Sequence, residues 1–195
     1  MFDKNTFIEE SLRESSKTKL DILEKCKSDI LRAADRIVDA FRKGNKLMLC
    51  GNGGSAADCQ HIAAEFIIRL SHDINRPALP AIALTTDSSN LTAGGNDIGF
   101  VNVFSRNVEG LGKEGDVLLG ISTSGNSVNI LNAIETAKKM KITSIGLLGC
   151  GGGKIKDRTD MNIIIPSLNV QRIQEGHITV GHILCEIAER ELYGK

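Results

Sequence analysis

The chain has no tryptophan, one tyrosine and six phenylalanines in 195 residues, so stacked aromatic platforms of the kind that hold nucleobases are not expected. It also lacks an excess of either charge. Its 24 Lys and Arg stand against 24 Asp and Glu, which excludes the basic footprint of a nucleic-acid or acidic-membrane binder. The five cysteines are scattered with no CxxC pair, so neither a zinc ribbon nor a disulfide framework is indicated. Cys50 and Cys150 lie in apolar strand contexts and read as buried thiols. No apolar run is long enough to span a bilayer, and Met1-Phe2-Asp3-Lys4-Asn5 has an acidic residue where a leader would be apolar. A soluble cytoplasmic protein of one domain is expected, long enough to bury a core.

What is present is organised around Leu47-Met48-Leu49-Cys50-Gly51-Asn52-Gly53-Gly54-Ser55. The apolar run stops at glycine and reads as a buried strand of a parallel sheet. Asn52 and the glycines turn the chain, with Ser55 as N-cap of an alanine-rich helix. Strand, glycine turn and helix N-terminus together form an anion site, because free amides and the positive end of the helix dipole converge there. His61 and Glu65, at i and i+4, share one face of that helix below the turn. Taken singly, these features have plainer readings as a connecting turn and a solvated surface pair. A second copy of the same logic favours the functional one. Asp116 to Ile121 reads as a strand, followed at once by Ser122-Thr123-Ser124-Gly125-Asn126-Ser127, with Ser127 capping a helix to about Lys139. Four hydroxyls in six positions beside free amides exceed what turn chemistry alone calls for.

The remaining chain fits around these units. From about Thr6 to Lys43 the pattern is charged and helical, as two helices or one long bent one closed by Gly44. Such an arm packs outside the sheet or against another subunit. Asp73 to Pro80 is a polar connection, and Ala81 to Leu84 is a second buried strand. Ser88 can cap a short helix that Gly94-Gly95-Asn96-Asp97 breaks, and a helical pattern resumes over Phe100 to Leu111. Strands over Ile142 to Leu148 and Met161 to Ile165 precede a last helix, Gln171 to Leu192, which carries Gln174, His177 and His182. Strands alternating with helices predict an α/β sandwich on a five-stranded parallel sheet, with ligands beyond the strands' carboxyl ends.

On these residues the chain resembles the sugar-isomerase (SIS) domains and, within them, the phosphoheptose isomerases. The resemblance runs nearly end to end. It rests on Gly51-Asn52-Gly53-Gly54-Ser55, Gln60-His61 with Glu65, Asn96-Asp97, Gly120 to Ser127, and Arg172-Ile173-Gln174-Glu175 with His177 and His182. It implies a three-layer flavodoxin-like fold (an N-terminal helical arm over 1–44, the sandwich over 45–195) and an aldose–ketose isomerase acting on sedoheptulose 7-phosphate for bacterial surface polysaccharide. It further implies sugar-phosphate contacts from Asn52, Gly53, Gly54, Ser55, Glu65, Asn96, Asp97, Ser122, Thr123, Ser124, Ser127 and Gln174. Glu65 and His182 would be the catalytic pair. A Zn2+ site from His61, Glu65, Gln174 and His182 is implied as well, as is a homotetramer. Gln171 stands where the family pattern has a smaller or acidic residue.

Two other readings stay open. A non-catalytic relative that binds the replication initiator shares both loops but lacks the Glu and the final His. Gly51-x-Gly53-x-x-Ala56 also fits a loose dinucleotide fingerprint with Asp87 as ribose partner, though that acid lies beyond the expected spacing of roughly 20 residues. Helix geometry adds an expectation about assembly. Gln174 and His182 are eight residues apart, about 12 Å along a helix axis and about 80° around it, whereas zinc–ligand bonds are about 2 Å long. The last helix of one subunit is therefore expected to meet the His61–Glu65 helix of another, with active sites at subunit interfaces.

Overall fold

The computed structural model describes residues 2–194. Five parallel strands, β1 (Leu47–Gly51), β2 (Ala81–Ala83), β3 (Val117–Ser122), β4 (Thr143–Leu148) and β5 (Met161–Ile164), form one sheet in the order β2-β1-β3-β4-β5. Parallel strands need crossovers, and the helices that supply them cover both faces. The strand order reverses between β1 and β3, where Leu47 pairs with Val117 and Gly51 with Ile121. In open α/β sheets the crevice beyond such a reversal holds ligands.

Alternation along the strands sorts the core into two halves. Leu47, Leu49, Val117, Leu119, Ile121, Ile145 and Leu147 pack under three helices, α1 (Lys4–Arg42), α2 (Gly54–Ile67) and α6 (Val170–Tyr193). Met48, Cys50, Leu118 and Leu148 face the other way, toward α4 (Val103–Leu111) and α5 (Val128–Lys139). Each strand residue is thus assigned to a layer by the two-residue period of the pleat. The expected three-layer sandwich is the fold observed.

The N-terminal region is a single helix of 39 residues, capped by the Asp3 carboxylate on the Asn5 amide. Its second half, from Thr18 through Ile22, Cys26, Ile30 and Ile37 to Phe41, is a true core layer. Its first half stays exposed, with Phe7, Ile8 and Leu12 facing solvent. No helix among the described residues is long and apolar enough to cross a membrane.

Local readings needed three corrections. Ser55 is not the cap of α2: the N-cap is Gly53, at φ 54° and ψ −122°, a conformation that only glycine adopts without strain. Ser55 instead lies buried in the first turn, its amide donating to the Asn52 carbonyl at 3.0 Å. Asp87, rather than Ser88, caps α3 (Ser88–Asp97), accepting from the Asn90 amide at 3.0 Å. Gly94 and Gly95 do not break that helix but lie inside it. A Cβ on Gly94 would come within 2.9 Å of Val103, so close packing against α4 outweighs glycine's poor helix propensity.

Candidate active site at the carboxyl edge of the sheet

Two helices begin at the strand reversal. At the end of β1, a Cβ on Gly51 would come within 2.6 Å of the Ser55 carbonyl, so only glycine lets the chain fold back this tightly. The turn brings the N-terminus of α2, the positive end of its dipole, to the sheet edge. At the end of β3, Ser122 Oγ lies 3.1 Å from Ser127 Oγ and accepts from the Gly125 amide at 3.1 Å. Ser124 Oγ accepts from the Asn126 amide at 3.2 Å. Gly125 has φ 65°, and a Cβ there would collide with the Gly152 carbonyl. The Gly149–Gly153 turn after β4 therefore braces the hydroxyl loop, with the Ile155 amide donating to Gly125 O at 3.0 Å.

The two loops are tied together by a residue that sequence reasoning missed. Asn129, buried in the first turn of α5, donates to Asn52 Oδ1 at 2.8 Å and accepts from Asn52 Nδ2 at 3.0 Å. Its Oδ1 also takes the Ile130 amide at 3.0 Å. The available signal was a polar amide two residues after a helix cap at the sheet's carboxyl edge.

Below the turn, α2 and α6 run side by side. His61 Nε2 lies 2.8 Å from His182 Nε2 and 3.2 Å from Glu65 Oε1. One ligand atom from each of the three falls within 4.8 Å of the others. Glu65 Oε2 is buried without a hydrogen-bond partner, and an unsatisfied buried carboxylate oxygen is costly unless something binds it. Two imidazole nitrogens and a carboxylate suit a zinc-type ion, and three protein ligands leave an open position for a further oxygen. The residues present fit the metal.

Gln174 reaches the start of α2, where a Cβ on Gly54 would collide with its amide. It stands beside Asp58, whose carboxyl is pushed up to about 6 by burial, with His61 and then Gln174 drawing it back down. Asp58 precedes His61 and Glu65 by three and seven residues, so it shares their helix face. Gln174 thus faces the start of α2 and His182 faces its middle. His61, Glu65 and His182 come together from α2 and α6 of a single chain, so these three meet without a second subunit. Asn96 and Asp97 close α3 and bond each other at 2.7 Å, and among the described residues they make no hydrogen bond to either loop.

His177 is fully buried on α6, and neither ring nitrogen has a hydrogen-bond partner. Burial depresses its pKa to about 4, which the nearby Leu148 backbone only partly offsets. It is a neutral core imidazole.

The chain is similar to known proteins over most of its length. Residues 12–149 match the SIS domain family. A phosphoheptose isomerase from Clostridium acetobutylicum is 50% identical over 191 residues, 97% of this chain and 96% of that protein. Among solved structures, a phosphoheptose isomerase from Neisseria gonorrhoeae superposes with a TM-score of 0.89 at 39% identity, covering 95% of this chain and 98% of that one. One from Francisella tularensis gives a TM-score of 0.90 at 34% identity, covering 97% and 100%. With its five-stranded parallel sheet and near full-length likeness to these proteins, the chain belongs to the phosphoheptose isomerase family of SIS-domain sugar-phosphate isomerases.

Proposed function

We propose that the protein interconverts sedoheptulose 7-phosphate and D-glycero-D-manno-heptose 7-phosphate, supplying heptose for bacterial surface polysaccharide from the cytoplasm. The observation that carries this reading is the unpartnered Glu65 carboxylate oxygen beside two imidazoles, on the helix that begins at the first of the two loops at the sheet's carboxyl edge. Ketose–aldose exchange needs a base at carbon, an acid–base group at oxygen and a fixed phosphate. Glu65 takes a proton from C1 of the ketose while His182 gives one to O2, forming the enediol. The same carboxyl then delivers a proton to C2 as O1 loses its own, which His182 carries. The Ser122–Ser127 hydroxyls and the amides of both helix N-termini hold the phosphate without any basic residue in the loop, and Gln174 and the Asn52 turn hold the sugar.

A zinc ion held by His61, Glu65 and His182 would add Lewis-acid polarisation of the sugar oxygens. Glu65 and His182 distinguish this reading from a non-catalytic initiator-binding relative, which lacks both. The proposed homotetramer is supported by α1, whose Leu20, Leu23 and Leu31 remain exposed in a single chain. Beside them a cleft of about 310 Å³ is lined by Ile22, Ile30, Ile183 and Ile187. Subunits meeting there would bury this surface. The direct test is isomerisation of sedoheptulose 7-phosphate with and without chelator. Activity lost and restored by zinc supports enzyme and metal together, metal-independent activity removes zinc from the scheme, and no isomerisation under any condition refutes the enzyme.

A further inference from the structure

The loop between α2 and β2 holds a buried ion pair that none of the site chemistry accounts for. Arg76 Nε donates to Glu189 Oε1 at 2.6 Å, with the two side chains only 1% and 3% exposed. The rest of the guanidinium faces the end of α2. Nη2 donates to the Glu65 carbonyl at 2.7 Å, and Nη1 donates to the Phe66 carbonyl at 2.7 Å and to the Pro77 carbonyl at 3.0 Å. Glu189 also accepts the Leu70 amide at 3.3 Å.

We propose that Arg76 and Glu189 are positioning residues for the reaction, holding the Glu65 carboxylate in register with His182. The last carbonyls of a helix lack intrahelical partners, and a cation there meets the negative end of the dipole. Arg76 meets that need at the very peptide whose side chain is the proposed base. Its other contact, Glu189, is seven residues beyond His182, two turns along the same face of α6 and about 10 Å away along the axis. One guanidinium therefore fixes the backbone of Glu65 to the helix that carries His182. A planar fork with several fixed donors sets direction as well as distance, which lysine cannot do. A buried pair of this kind adds little net stability over apolar residues of similar volume, so its value lies in register. A small displacement of reacting groups is enough to cost a large factor in rate.

This inference rests on Glu65 and His182 being the reacting pair, and the test separates the two claims. Arg76→Lys, Glu189→Gln and the double variant Arg76→Met/Glu189→Leu are assayed with sedoheptulose 7-phosphate beside Glu65→Gln. The double variant leaves no unpaired buried charge and is read even where a single replacement fails to fold. Lys46→Met serves as a control for general destabilisation. It breaks the ion pair to buried Asp116, 2.5 Å long, which lies at the opposite, amino edge of the sheet. The expected result is a kcat at least about tenfold lower in the Arg76 and Glu189 variants with KM within about threefold, in folded protein of unchanged assembly. Lys46→Met should keep kcat within about twofold at an equal or larger loss of Tm. If Glu65→Gln is inactive while the double variant keeps full kcat, or if Lys46→Met loses kcat in step with Tm, the positioning role is overturned and the reading of Glu65 stands. If Glu65→Gln is fully active, that reading falls and the positioning claim falls with it.

Discussion

His61 Nε2 and His182 Nε2 face each other across 2.8 Å, from helices that begin at Gly54 and Val170. Two neutral imidazoles at that distance share one proton as a hydrogen bond, or both direct lone pairs at a cation. With Glu65 Oε1 3.2 Å from His61, the second arrangement supplies three ligands. The expected outcome of calorimetric titration with zinc is one site per chain, weakened at least about tenfold in His182→Ala. Equal affinity in that variant would place any bound zinc elsewhere.

The Asn52–Asn129 amide pair couples the two loops proposed to hold the phosphate, so a change at Asn129 should act on binding rather than on chemistry. Asn129→Ala is expected to raise KM for the phosphorylated sugar several-fold with kcat nearly unchanged. It should also cost about 1 kcal/mol, since the half-buried Asn52 amide loses its partner. Steady-state kinetics and urea denaturation check the two effects separately.

Gly54 offers a way to move Gln174 without touching it. A Cβ at position 54 meets only the far end of that side chain, which can swing away at little cost to the fold. Gly54→Ala and Gln174→Ala should therefore lower activity to similar extents, and the double variant should be no worse than either single one. Additive losses would mean that Gln174 acts independently of its place beside α2.

Much of this was legible in the sequence because it follows from local rules. Apolar runs ending in glycine or serine mark β1 and β3, and an i, i+4 pair marks the face shared by His61 and Glu65. What escaped depends on distant partners. Arg76 sits in a polar connection with nothing to set it apart until Glu189, far along the chain, folds back onto it. Asn129 looks like any helix residue until Asn52 is opposite. Gly94 reads as a breaker because its partner Val103 belongs to another helix. How α2 and α6 meet was not legible either: the two helices of one chain already bring His61, Glu65 and His182 together.

His177 gives the stability a definite pH dependence. Its folded pKa of about 4 lies below the ordinary value of 6.5, so the folded state disfavours the proton. That contribution is complete above about pH 6.5 and is lost as pH falls toward 4. It is worth about 3 kcal/mol across the window, at 1.36 kcal/mol per unit. His177→Met should flatten the fall in stability between pH 6.5 and 4, as followed by urea denaturation. An unchanged slope would show that other groups govern acid unfolding.

The central claim is that Glu65 moves the proton between C1 and C2. Glu65→Gln keeps the size and neutralises the carboxylate, so the most direct measurement is its rate of converting sedoheptulose 7-phosphate under saturating substrate. The account predicts a fall of at least about a hundredfold, in line with the loss of a general base, in folded protein that still binds the sugar phosphate. Conversion at close to the parental rate would contradict it.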